Sequence, residues 1–150
     1  MGYYLEAVVA AETLLRATAT GLPGTRVVPL AQGLALLPMS DDLDEAVRDG
    51  APGLAPFRML PGGFDRTLAA WSATGPVAYV EADIFGGTGD QSVAVWDRGA
   101  LALGPLTAST GSPISLALRH LGARADGRPD EFDAVGLGRH RRTESWLKDA

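Results

Sequence analysis

Apolar and polar positions alternate most clearly between Val77 and Phe85, where Ala78, Val80, Ala82 and Ile84 share one face and Tyr79, Glu81, Asp83 and Phe85 the other. That period of two predicts a strand. It resumes over Gln91–Asp97 and, after a tight turn at Arg98-Gly99, over Ala100–Leu103, so the three runs form a meander. Tyr3–Ala10 is aromatic and β-branched enough to open the chain as another strand. Arg26–Ala31 and Leu34–Pro38 make a short pair around Gln32-Gly33, with Pro29 suited to a sheet edge.

Helical spacing fills the intervals. Ala11–Thr18 turns Leu14 and Leu15 inward. Ser40 caps a helix whose stripe is Leu43, Ala46 and Val47, and Gly50 ends it. Phe64, Leu68 and Trp71 fall at i, i+4 and i+7 and predict a helix over Phe64–Ala73, stopped by Gly75-Pro76. Ser112-Pro113 starts another, lined by Ile114, Ala117, Leu118 and Leu121 as far as Gly122. Two short helices follow, at Asp130–Val135 and near Thr143–Lys148, separated by Gly136-Leu137-Gly138. Residues 50–63, rich in proline and glycine, form an irregular and mobile connection that Phe57, Met59 and Leu60 could pin to the core. Strands and helices mixed irregularly through tight turns predict a single α+β domain over residues 1–150, a mostly antiparallel sheet with helices packed on it.

Composition narrows the class. A hydrophobic fraction of 46% and a charged fraction of 21% suit a globular chain and exclude global disorder. No cysteine is present, which removes disulfides, thiolate metal sites and thiol nucleophiles. The apolar run Ala7–Ala11 lacks a basic leader and is bracketed by Glu6 and Glu12, so it does not read as a signal peptide; a cytoplasmic protein is expected. No apolar run is long enough to span a membrane. The net charge of −5 repels nucleic acid and favours a basic partner. Acidic residues dominate the first 110 positions; residues 123–150 form a tail richer in arginine, including Arg139-His140-Arg141-Arg142. That run lacks aromatic interleaving and reads as a solvated turn paired with the acidic body rather than a nucleic-acid contact.

The polar chemistry converges on Glu81, Asp83, the loop Gly86-Gly87-Thr88-Gly89, and Asp90-Gln91. Carboxylates two apart on a strand face stand about 7 Å apart. Such a pair can divide acid and base roles, or ligate a hard cation with help from Asp90 and Gln91. The plainer reading is the solvated face of an antiparallel strand, with Tyr79 and Phe85 covered by the tail. The glycine loop fails both phosphate-binding patterns. No lysine follows its last glycine, and a strand follows where the dinucleotide fingerprint needs a helix. Its glycines serve a hairpin through positive φ. His120 and His140 have no fixed carboxylate companions for a metal, and no G-x-S-x-G elbow is present. No catalytic residue, metal ligand or cofactor is therefore assigned.

Tyr79-Val80-Glu81-Ala82, Phe85–Gln91, Val95-Trp96-Asp97, Gly104-Pro105, Pro113-Ile114-Ser115 and Asp130-Glu131-Phe132-Asp133 together resemble small uncharacterised proteins of actinobacteria. Some of these are similar in size and acidity to immunity proteins of polymorphic toxin systems. The resemblance covers mainly residues 77–142 and implies a non-catalytic module that caps a basic effector. On that reading Glu81, Asp83 and Asp90, with the helix bearing Asp41, Asp42, Asp44 and Glu45, steer association, Tyr79, Phe85 or Trp96 anchors it, and Gly87 and Gln91 belong to the same binding surface. The competing expectation is a small hydrolase or cation-dependent enzyme built on Glu81 and Asp83.

Overall fold

The computed structural model describes residues Gly2–Lys148. Six strands form one sheet: β1 (Gly2–Ala11), β2 (Val28–Pro29), β3 (Leu34–Pro38), β4 (Val77–Phe85), β5 (Thr88–Asp97) and β6 (Ala100–Ala108). Their spatial order is β2-β3-β1-β4-β5-β6 and every named pairing is antiparallel. Among the described residues six α-helices accompany them: α1 (Glu12–Thr18), α2 (Asp41–Val47), α3 (Phe64–Trp71), α4 (Pro113–His120), α5 (Glu131–Val135) and α6 (Thr143–Leu147). The fold is α+β. No helix among the described residues is long and apolar enough to cross a membrane.

Helix starts follow their local chemistry. The Ser40 hydroxyl accepts from the Leu43 N–H, the Ser112 hydroxyl from the Ser115 N–H, and the Asp130 carboxylate from the Asp133 N–H. Each side chain satisfies an N–H that the first helical turn leaves without a partner. Pro29 lies in β2, at the sheet edge, where a missing donor is tolerated.

The helices divide between the two faces of the sheet, which corrects the expectation of one solvated face. Leu5, Ala7, Val9, Ala78, Val80, Val93 and Val95 pack under α4, α5 and α6, with Ile114, Leu118 and Trp146 fully buried. On the opposite face Val8, Ala10, Val77, Tyr79, Ala94 and Trp96 pack under α1, α2 and α3. Both sides of the first half of β4 are thus dry. Tyr79, fully buried, meets Phe57 edge-on at 5.1 Å between ring centres, so the 50–63 connection covers it and not the tail. Trp96 lies in the same core at 5% exposure.

The central hairpin is tighter than the glycine run suggests. Phe85 pairs with Thr88, which leaves Gly86 and Gly87 as its two connecting residues, at φ 61° and 81°. Positive φ at both positions belongs to the hairpin turn whose twist matches the strands. Gly89 is already inside β5, where a Cβ would collide with the Asp83 carbonyl oxygen of the neighbouring strand.

The tail closes the sheet where β3 stops. The Tyr4 N–H donates to the Arg141 carbonyl at 2.8 Å, and the Glu6 N–H donates to the Thr143 hydroxyl at 3.0 Å. Arg139 and Arg142 lie over the rings of Trp146 and Tyr4 at 4.9 and 5.4 Å. The arginine run is thus partly packed against aromatic side chains and is not a wholly solvated turn.

Candidate functional site

The polar ends of β1, β4 and β5 meet on the face that carries Tyr79. Strand register sets Tyr4 opposite Asp83, Glu6 opposite Glu81, Asp83 opposite Asp90, and Glu81 opposite Ser92. Directly opposed residues bring their Cβ atoms within about 5 Å, so four carboxylates crowd one end of the sheet.

A strap formed by residues 50–63 crosses this end. Its base is latched by the Asp49 N–H donating to the Gly62 carbonyl at 3.0 Å, and by Arg66 donating to Asp49 at 2.7 Å. The Ala51 N–H also donates to Asp49, and this bond, more than Arg66, holds the Asp49 carboxyl below its ordinary range. Its centre is pinned by Glu81. The backbone N–H groups of Arg58 and Met59 donate to the Glu81 carboxylate at 3.0 and 2.9 Å, and the Tyr79 hydroxyl donates at 2.8 Å. Leu60 is buried in the core cluster that holds Tyr79. The predicted mobile segment is therefore held at both base and centre. Burial, reinforced by Glu81, raises the Tyr79 hydroxyl well above its usual pKa, so it remains a donor.

Between strap and sheet lies a cleft of about 270 Å³. Tyr4, Pro56 and Met59 form apolar walls, and Glu6, Asp83 and Asp90 supply carboxyl groups. Arg58 also lines the cleft, its guanidinium 3.7 Å from Asp83 and 3.9 Å from Asp90. Those separations exceed the 2.7–2.9 Å typical of charge-assisted hydrogen bonds, and all three side chains are mostly exposed or half-exposed.

The eight residues singled out in the sequence have separate fates. Glu81, Asp83 and Asp90 line the cleft, Glu81 buried and the two aspartates open to solvent. Phe85, on the same face as Asp83, stands 67% exposed beside the glycine turn, and Gly87 is unobstructed at its tip. Tyr79 and Trp96 are core residues here, sealed by α3 and the strap, and neither offers a surface for anchoring. Gln91 faces the opposite side of the sheet from Asp90, and its carboxamide oxygen accepts the Ile114 N–H at 3.0 Å at the start of α4. It therefore does not join Asp90 as a cation ligand. Among the described residues no group of three or more His, Asp or Glu is arranged to hold a metal ion.

Glu6 is the site residue that sequence reading missed. Burial, then the Glu81 carboxylate opposite, push its carboxyl up to about 7, with smaller contributions from Asp44, Glu144 and Asp41. Its only sequence signal is being the lone charge within the strand Tyr3–Ala10. Because the folded state holds this proton more tightly than the unfolded chain, stability falls as pH rises from about 4.5 to about 7. Glu6 is half-buried, so solvent screening reduces the loss to roughly 1 kcal/mol. Urea unfolding at pH 5 and pH 8 should show it, and Glu6→Gln should flatten the difference. An unchanged difference in Glu6→Gln would assign the pH dependence to another group.

Compared with protein-family models, curated proteins and solved structures, the chain matches none.

Proposed function

We propose that this protein is a non-catalytic binding module that engages a basic protein through the β4–β5 hairpin and the cleft beside it. Phe85 carries the reading. It is the most exposed of the large apolar side chains among the described residues, at 67%, and it follows Asp83 on one strand face. A rigid aromatic ring set among carboxylates matches an interface whose anchor is apolar and whose rim steers by charge. The rigidity comes from the hairpin's full pairing and from the strap beside it.

The Glu81–Asp83 pair is poorly suited to acid–base catalysis. Glu81 already accepts three hydrogen bonds, two from backbone amides, and moving a proton there would release the strap. The partner we infer is a protein with an excess of lysine and arginine, met in the cytoplasm, in the manner of an immunity protein and its effector. The chain's net charge of −5 disfavours nucleic acid in that role.

The test is capture from a lysate of the source organism on immobilised protein, wild type beside Phe85→Ser and an Asp83→Lys, Asp90→Lys double variant. A basic protein should be retained by the wild type, released in 0.5 M salt and absent from both variants. Retention indifferent to these residues would remove the hairpin from the interface.

A further inference from the structure

We infer that the cleft between the strap and the sheet is a receptor for one long basic side chain, arginine foremost, presented by the partner. This deepens the reading of the hairpin face as a docking surface and rests on it.

The shape comes first. A volume of about 270 Å³ is too small for a folded segment but ample for one extended side chain. Tyr4, Pro56 and Met59 line its sides, and Met59 remains 49% exposed. An arginine or lysine buries a hydrocarbon stem along such walls while its charged head seeks a polar end.

The charge fits that head. Glu6, Asp83 and Asp90 border the cleft, and Arg58, which also lines it, sits 3.7 Å from Asp83 and 3.9 Å from Asp90 without closing a tight pair. Among the described residues no hydrogen bond reaches the Glu6 carboxylate; its backbone N–H and C=O are bonded. Glu81 is the exception, being saturated by the strap, so it forms part of the floor and not the receptor.

Arg58 shows the recognition in miniature. Its guanidinium spans Asp83 and Asp90, which are direct cross-strand partners, so that pair already presents oxygens to a planar fork. Arg58 is 72% exposed and its backbone N–H, not its side chain, holds the strap, so its head is free to yield to an incoming guanidinium. It is a placeholder that the partner's arginine displaces.

The test is an amide-resolved NMR titration with Nα-acetyl-arginine methylamide, with the citrulline analogue as the uncharged isostere. The arginine compound should shift the amides of Tyr4, Glu6, Met59 and Asp83, and citrulline should shift them at least fivefold less. At pH 8, where the Glu6 carboxyl, pushed up to about 7, is mostly ionised, Glu6→Gln and Asp83→Asn should each weaken the arginine titration about threefold or more. Arg58→Ala, which leaves the strap's backbone bond to Glu81 intact, should tighten it about two- to fivefold, the range of an exposed ion pair. Equal shifts from citrulline, shifts confined to Asp41 and Asp42 on α2, or a titration unmoved by Glu6→Gln and Asp83→Asn would overturn the proposal. If these fail while Phe85→Ser still abolishes capture of a basic protein, the receptor is refuted and the hairpin interface stands.

Discussion

Replacing Glu81 with alanine should destabilise the protein by roughly 4 kcal/mol and free the strap. The side chain is 8% exposed and accepts from two backbone amides and the Tyr79 hydroxyl. Alanine would leave three donors beneath the strap without an acceptor, each costing about 1–3 kcal/mol where water cannot compensate. Partial hydration of the loosened strap keeps the total below the simple sum. For a domain of this size the melting temperature should drop by about 8–16 °C. Hydrogen exchange at Arg58 and Met59 should accelerate more than at Val80 or Val93, and protease should cut within residues 50–63. Glu81→Gln keeps one acceptor oxygen but points an NH₂ at a donor, so it should fall between the two. A Glu81→Ala variant that melts within 2 °C of wild type, its Arg58 and Met59 amides still protected, would show that the strap is held by Phe57 and Leu60 instead.

The second large effect is expected at Gly89. Among the hairpin's glycines, Gly86 and Gly87 face open space, and alanine there should cost only the penalty of positive φ, about 1 kcal/mol. At Gly89 a methyl group would be driven against the backbone of Asp83 and Ile84, and φ is 143°, where side chains are rarely found. The strands would have to separate between Asp83 and Asp90 to admit it. We expect Gly89→Ala to cost about 3 kcal/mol and to weaken partner binding beyond its loss of stability, since it spreads the two aspartates. Thermal unfolding of the Gly87→Ala and Gly89→Ala proteins checks the contrast, and equal melting temperatures would contradict it.

Much of the architecture was readable because its signals are local. Ser40, Ser112-Pro113 and Asp130 each announce a helix by chemistry contained within four residues, and each bonds as its type requires. The meander was readable for the same reason, although β5 begins earlier than Gln91, at Thr88, and β6 runs beyond Leu103 to Ala108. Gly104, at φ 78°, and Pro105 mark the irregular register within β6 that the alternation could not follow.

The candidate site was only half legible. Alternation placed Glu81 and Asp83 on one face, but it could not say that helices cover both faces, since that depends on how the connections cross the sheet. Tyr79 and Trp96 were offered as anchors for that reason and are core residues instead. The strap's attachment to Glu81 runs through backbone amides, which leave no mark in an amino-acid sequence. Glu6 became part of the site through β1–β4 pairing, a contact between residues distant along the chain.

The same pairing bears on how the protein is made. β1 lies in the interior of the sheet, yet β4, its most extensive neighbour, is synthesised after more than half the chain. On the ribosome, Tyr3–Ala10 must wait with one long flank unzipped, an invitation to wrong strands in a crowded nascent pool. Production yield should therefore respond to trigger-factor-type holdases more than the finished protein's ruggedness would suggest.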